Sequence, residues 1–255
     1  MNELRNILND FTPITLKEMD SVKLMDRTDT KFVFRQDELP GFLEQLKDAY
    51  AVLDVNGYRI SRYESLYFDT KNFDLFFSHH RGKPSRFKIR CRKYVESELH
   101  FFEVKFKTNK GRTIKDRVKQ NMIDGSIRDN AEELLLHKTP LKADILEPKI
   151  WVNYSRITFV NKTAAERVTV DLNLTFKNDS EDRTIENLVI AEVKQDKALQ
   201  SPFLKLMKRY HVREGSISKY CYGVISLYEK LKHNNFKPNL IQIKKTLYGT
   251  VARHY

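Results

Sequence analysis

From Tyr58 onward the chain alternates apolar and polar residues with a period of two, through 58–69 (YRISRYESLYFD), 84–95 (PSRFKIRCRKYV), 99–108 (LHFFEVKFKT) and 111–119 (GRTIKDRVK). Successive side chains of a strand point to opposite faces, so the pattern predicts a run of antiparallel strands, interrupted by a short helix over 72–80. KFVFR at 31–35 predicts one earlier strand, and KIWVNYSRITFV, ERVTVDLNLTF and NLVIAEVKQ predict three later ones. Helical spacing covers 14–25, 37–50 (with Pro40 in the first turn), 129–146, 199–210 and 223–233. Strands occur in both halves, with no internal repeat and no Gly/Ser/Pro linker. The expectation is one α+β domain around a large antiparallel sheet.

On several strands one of the two alternating faces is basic. Arg86, Lys88, Arg90 and Arg92 share a face, with Phe87, Ile89 and Cys91 opposite. Glu103, Lys105 and Lys107 oppose Val104 and Phe106, and Lys115 and Arg117 repeat the theme more loosely. Tyr154, Arg156 and Thr158 lie opposite Ile157 and Phe159. Arg167, Thr169, Asp171 and Asn173 lie opposite Val168, Val170, Leu172 and Leu174, and Glu192 and Lys194 opposite Ala191 and Val193.

A solvated outer face is one reading, because antiparallel sheets commonly keep one side wet. The other is a ligand-binding interior. Like charges on adjacent strands, 5–6 Å apart at an effective dielectric near 20, repel by about 3 kcal/mol per pair. Several such pairs rival the roughly 5–15 kcal/mol stability of a whole domain, and a bound polyanion would turn that cost into affinity. A barrel of about eight strands has room inside for side chains or one slim ligand. In such a barrel the apolar faces would pack outward on helices while the cations lined a tunnel.

Composition narrows the partner. The 255 residues carry 46 Lys+Arg against 34 Asp+Glu, a net charge of +12, which favours polyanions without choosing among them. The N-terminus is polar and lacks a signal-peptide centre, and no apolar run is long enough to span a bilayer. The two cysteines, Cys91 and Cys221, make neither a disulfide framework nor a metal cluster. A cytoplasmic, reduced setting is expected. The seven His show no ligand spacing, and Asn109–Arg112 reads as a hairpin turn rather than a phosphate-binding glycine loop.

The order of these pieces resembles a known family. Asp29-x-Lys31, Tyr67-Phe68-Asp69, Lys88-x-Arg90-x-Arg92, Glu103-Val-Lys105, Lys115-x-Arg117, Tyr154-x-Arg156, Arg167, Ala191-Glu192-Val193-Lys194 and Ser218-Lys219-Tyr220 together resemble the VTC domain. This is the polyphosphate polymerase branch of the triphosphate tunnel metalloenzymes, a CYTH-like superfamily. The resemblance spans roughly 15–225, leaving 226–255 as a C-terminal helical tail of one domain covering 1–255. It implies a closed antiparallel β-barrel with flanking helices, whose tunnel binds ATP and a metal ion, Mn²⁺ or Mg²⁺. The implied reaction moves the γ-phosphoryl of ATP onto a growing inorganic polyphosphate chain.

Carried over by position, Lys31, Arg90, Arg92, Lys105, Lys115, Arg156, Arg167 and Lys219 would grip phosphate. Tyr154, Ser218, Lys88, Arg117 and Lys194 would add substrate contacts, and Glu192 would bind the metal. Arg27 and Asp29 stand where hydrolase and cyclase branches carry Glu-x-Glu-x-Lys, which argues against those activities. No membrane helices accompany the resemblance, so coupling to transport would need a separate membrane partner at the inner face of the membrane.

The residue chemistry agrees with these roles. Guanidinium forks grip phosphate oxygens bidentately, and lysines act as point charges. Glu192 interrupts an apolar strand, which suits either an ion pair or a metal; one carboxylate plus phosphate oxygens satisfies Mg²⁺ or Mn²⁺. Glu103 is expected to pair with a neighbouring cation. Asp69 and Asp171 are expected to accept hydrogen bonds rather than ligate a metal. Two alternatives stay open: a non-catalytic polyphosphate or nucleotide binder, and a polyphosphate hydrolase in the same tunnel. Nucleic acid is not expected, because most aromatics fall opposite the cations and base stacking wants both on one face.

Overall fold

The computed structural model describes residues 2–21, 27–196, 200–215 and 217–249. The N-terminal part comprises α1 (Asn2–Asn9), β1 (Pro13–Ile14), α2 (Leu16–Ser21), β2 (Arg27–Arg35), α3 (Leu39–Glu44) and β3 (Tyr50–Leu53). The basic meander follows: β4 (Ser61–Thr70), α4 (Asp74–His80), β5 (Arg86–Tyr94), β6 (Leu99–Lys107), β7 (Thr113–Gln120) and α5 (Asn130–Lys138). Next come β8 (Leu146–Asn161), β9 (Glu166–Lys177), β10 (Asp182–Ile185), β11 (Leu188–Asp196), α6 (Pro202–Arg209), α7 (Lys219–Leu227) and α8 (Lys237–Tyr248). The helix expected over 14–25 begins two residues later, and its end lies outside the described residues. The one expected over 37–50 is shorter, because Tyr50 already belongs to β3.

Eight strands form one curved path in the order β2-β11-β9-β8-β4-β5-β6-β7, with β3 and β10 attached at its sides. Every neighbouring pair on the path is antiparallel. Apolar residues of the outer face pack on helices. Phe32, Val168, Val170 and Val193 meet Leu8 of α1, Phe42 of α3 and Phe203 of α6 in one cluster. Leu66, Ile89, Cys91 and Val104 meet Leu75 of α4 and Leu135 of α5 in another. Burial pushes the Cys91 thiol up to about 12, so it behaves as a small core hydrophobe.

Two features depart from the expected closed barrel. The end strands β2 and β7 share no ladder among the described residues. α7 packs against the inner face of the sheet, on Val33, Ile150, Leu174 and Phe176. Its seat is tight: a Cβ on Gly223 would stand 2.6 Å from Phe176 Cδ1 and 2.7 Å from Ile150 Cδ1.

The second departure is a bulge. Asn153 pairs with Thr175, but Ser155 pairs with Leu172, so β9 spends an extra residue there. Asn173, at φ 53°, absorbs it in the left-handed region that Asn tolerates. Side-chain parity flips across it. Leu172 stays in the outer cluster, whereas Leu174 and Phe176, placed by simple alternation on the outer face, turn inward against Tyr220 and Val224 of α7.

Candidate functional site: a basic tunnel

The inner face divides into an apolar half and a charged half. Val33, Ile150, Val152, Leu174, Phe176 and Ile190 receive α7 in the first. In the second, strand parity brings together the basic faces of β2, β5, β6, β7, β8, β9 and β11. Arg90 stands opposite Glu103, and Glu103 opposite Arg117; Lys88, Lys105 and Lys115 form a row; Lys31, Glu192, Thr169 and Thr158 form another.

Two buried carboxylates neutralise part of this charge. Glu103, 1% accessible, accepts from Arg90 Nε at 2.6 Å and lies 2.7 Å from Lys115 Nζ. Burial alone would raise its pKa, but Arg90, Arg92 and Lys115 overcome that and hold the carboxyl far below the usual range. Asp171 takes the fork of Arg156, Nε to Oδ1 at 2.6 Å and Nη2 to Oδ2 at 2.8 Å, and also accepts from Lys219. Burial opposes its ionisation too, and Arg156 and Lys219 prevail. Asp69 is not part of the cluster. It accepts the backbone N–H groups of Thr70, Leu75 and Phe76 and the Tyr220 hydroxyl, capping α4.

Glu192 is bound more loosely. Lys31 Nζ stands 3.6 Å and Lys194 Nζ 3.4 Å from its carboxylate, beyond good hydrogen-bond length. Burial resists its ionisation, but Lys194, Lys31, Arg156 and Lys219 bring its pKa down to about 2, so it is anionic at neutral pH. Among the described residues there is no group of three or more metal-ligating side chains.

Other cations lack a carboxylate of their own. Arg92, 6% accessible, donates to Ser65 Oγ at 3.0 Å, and its guanidinium otherwise sits among the Tyr63, Tyr94 and Tyr154 rings at 5.4, 6.0 and 5.8 Å. Lys88 donates to Ser218 Oγ at 3.0 Å, the residue that caps α7 through Cys221 N–H. Lys105 has no hydrogen-bond or ion-pair partner among the described residues. It lines a cavity, and its desolvation there, with Lys88 and Arg90 nearby, lowers its pKa to about 7. Enclosure likewise brings Lys115 down to about 8.

Lys31, Lys88, Lys105 and Ser218 line a cavity of about 1160 Å³, together with residues of the β6–β7 hairpin, α7 and α8. Arg90, Arg92, Arg156, Lys219 and Glu192 do not line it. Two expected site residues stand apart. Arg167 shares the inner parity but donates to the Met19 carbonyl at 3.3 Å. Arg117 is exposed on β7 and stacks 4.5 Å over Phe101. The sequence reading named Tyr154 but missed Tyr63 and gave Tyr67 no role at the site. Tyr63 and Tyr154 stack at 5.3 Å, and Tyr67 accepts from Arg90 Nη1 at 2.7 Å. Their signal was present, since Tyr63, Ser65 and Tyr67 recur with period two. Aromatics and cations therefore do share this face.

A curled antiparallel sheet around a basic interior defines the triphosphate tunnel fold. The Hippeastrum protein HpAC1, proposed as an adenylyl cyclase and described as having a dominant triphosphatase activity, is similar over 82% of this chain and 98% of its own. Its identity is 12% and its TM-score 0.50. A Vibrio parahaemolyticus protein, also proposed as an adenylate cyclase, is similar over 78% of this chain and 99% of its own, at 13% identity and a TM-score of 0.46. The likeness to the Hippeastrum protein, at such identity, speaks to fold alone. The chain matches the VTC domain over residues 26–228 and belongs to that family. No curated protein matches it.

Proposed function

We propose that this chain is a polyphosphate polymerase, moving the γ-phosphoryl of ATP onto the end of an inorganic polyphosphate chain. The observation that carries the reading is the convergence of cations from several strands on one inner face, with Arg92, Lys88 and Lys105 having no carboxylate partner among the described residues. Phosphoryl transfer asks for positioning and charge neutralisation more than covalent help. Arg90 and Arg156, held straight by Glu103 and Asp171, are preorganised forks for phosphate oxygens. Arg92 supplies a desolvated guanidinium, and Lys31, Lys88, Lys105, Lys115 and Lys219 neutralise charge along the chain. No general base is needed, because the terminal phosphate of the acceptor is already an anionic nucleophile.

Mn²⁺ or Mg²⁺ would be held at Glu192. It is an anionic inner-face carboxylate whose neighbouring Lys31 and Lys194 stand at 3.6 and 3.4 Å, and a single carboxylate suffices when phosphate oxygens and waters complete the shell. A metal held there would screen charge on the β- and γ-phosphates. Residues 1–255 are read as one tunnel domain. No helix among the described residues is long and apolar enough to cross a membrane.

The test is incubation with ATP and Mn²⁺ or Mg²⁺, followed by assay for long-chain polyphosphate and ADP. Arg92→Gln should lower product formation by about 100-fold, the scale of losing one preorganised donor, without a loss of fold. Release of orthophosphate with no chain growth would favour the hydrolase reading. Binding without turnover would favour a non-catalytic module.

A further inference from the structure

α8 lies outside the matched span 26–228, yet it is fixed to the body of the chain. Asn235 Nδ2, just before it, donates to the His80 carbonyl at 2.8 Å, and Phe236 packs on Phe76 and His80 with ring centroids 5.9 and 5.6 Å apart. At its far end Arg35 Nη1 donates to the Leu247 carbonyl at 3.2 Å, and Ile243 and Leu247 are buried. One side of the helix is thereby committed to the protein, and the side that remains has a fixed direction.

That remaining side carries a distinct mixture. Lys237, Ile241, Lys244, Lys245 and Tyr248 are all exposed, and at 3.6 residues per turn they fall within an arc of about 100°. Ile241 is 51% accessible and Tyr248 73%. Single exposed apolar residues are ordinary, but these two share one stripe with three lysines. None of the three lysines has an ion-pair partner among the described residues. The surrounding sequence leans the same way, with no Asp or Glu from Lys230 to Tyr255.

The mixture discriminates among anionic partners. Nucleic-acid phosphates would satisfy the lysines but leave Ile241 and Tyr248 wet. A protein that grips a helix in a groove takes its apolar face, and here Ile243 and Leu247 are already packed inward. A flat lipid surface needs only an exposed stripe, with lysines and tyrosine at headgroup level and isoleucine just below. We infer that α8 docks this chain on an anionic membrane surface through Lys237, Ile241, Lys244, Lys245 and Tyr248. Such docking is peripheral and independent of the reaction in the tunnel. Leu240 and Ile243, on another side of the same helix, line the cavity, so a docked chain holds that cavity close to the lipid.

The test is sedimentation of the full chain with vesicles of phosphatidylcholine alone and of phosphatidylcholine mixed with phosphatidylglycerol. A net charge of +12 attracts any anionic surface, so the decisive comparison is between two pairs of exposed lysines. Lys244→Gln with Lys245→Gln should weaken binding to the anionic vesicles by about 25-fold, about fivefold per lysine. Lys205→Gln with Lys208→Gln, the same charge change on α6, should leave it almost unmoved. Ile241→Ser should weaken it by about fivefold, since half of that side chain remains to be covered. All the altered side chains are exposed, so the variants should keep the native melting temperature. Absence of native binding to the anionic vesicles overturns the docking. So does an equal loss from the α6 pair, or binding that ignores Ile241→Ser.

Discussion

The two halves of the barrel interior share β2, β8, β9 and β11 yet solve opposite problems. In the half around Phe176 and Ile150, α7 fills the space with Tyr220, Val224 and Leu227, and stability comes from excluding water. In the half around Glu103 and Asp171, the walls are cationic, and stability depends on two fixed carboxylates. The switch from one to the other takes a single bulge and a short change of residue type: on β11, Ile190 gives way to Glu192 and Lys194, and on β2, Val33 gives way to Lys31. The bulge at Asn173 turns Leu174 and Phe176 inward. A tunnel site is thus made by leaving one end of a barrel unfilled and charging it.

The sharpest way to break this contrast is to remove a fixed carboxylate. Asp171→Ala leaves Arg156 and Lys219 without their anion, and losing one partner of a buried pair costs about 3–5 kcal/mol. For a chain of this size the melting temperature should fall by roughly 10 °C, measured by calorimetry, and tripolyphosphate should restore more of it than in the native protein. An unchanged melting temperature would refute the role given to Asp171.

The apolar half should respond to volume instead. Gly223→Ala places a methyl against Phe176 and Ile150 and should cost about 1–3 kcal/mol by overpacking. Thermal melting reads this, and tripolyphosphate should not selectively rescue it. Selective rescue would mean that the two halves are coupled rather than distinct.

The smallest effect sharpens the charged half. Lys105 near 7 and Lys115 near 8 are held down by enclosure and by Lys88, Arg90 and Arg92. A bound polyanion raises both, so between about 7 and the raised values the complex holds more protons than the free protein. Binding should therefore take up protons, and affinity should fall as pH rises through that window, levelling off below about 7, where both lysines are already charged. Calorimetry in buffers of different ionisation heat reads the proton count, and proton release on binding would contradict the assignment.

Much of this was legible in the sequence because period-two alternation encodes a face directly. The strands 86–94, 99–107 and 113–120 were readable, and so was the inner placement of Lys88, Arg90, Arg92, Glu103 and Lys105. Alternation fails where the backbone changes register. Asn173 looked like one more polar position, and nothing in LNLTF announces that two residues will face one. The α7 segment was read as starting at Gly223, because the polar SKY before it hides a helix start at Lys219 that Ser218 caps. Short β10 escaped because DRTI shows too few alternations. Carboxylate partners escaped for another reason: Glu103 and Asp171 sit on the expected face, but only distances reveal which cations they hold.

Those fixed carboxylates bear on release as well as on folding. A pore lined wholly with unopposed positive charge would clasp a long polyanion along its entire length and hold it. Here the strongest forks already have intramolecular partners, Glu103 for Arg90 and Asp171 for Arg156. On the function proposed above, an incoming phosphate would compete with a tethered anion that can reclaim the arginine, so that grip on a polyanion would be moderated segment by segment and the chain could slide onward.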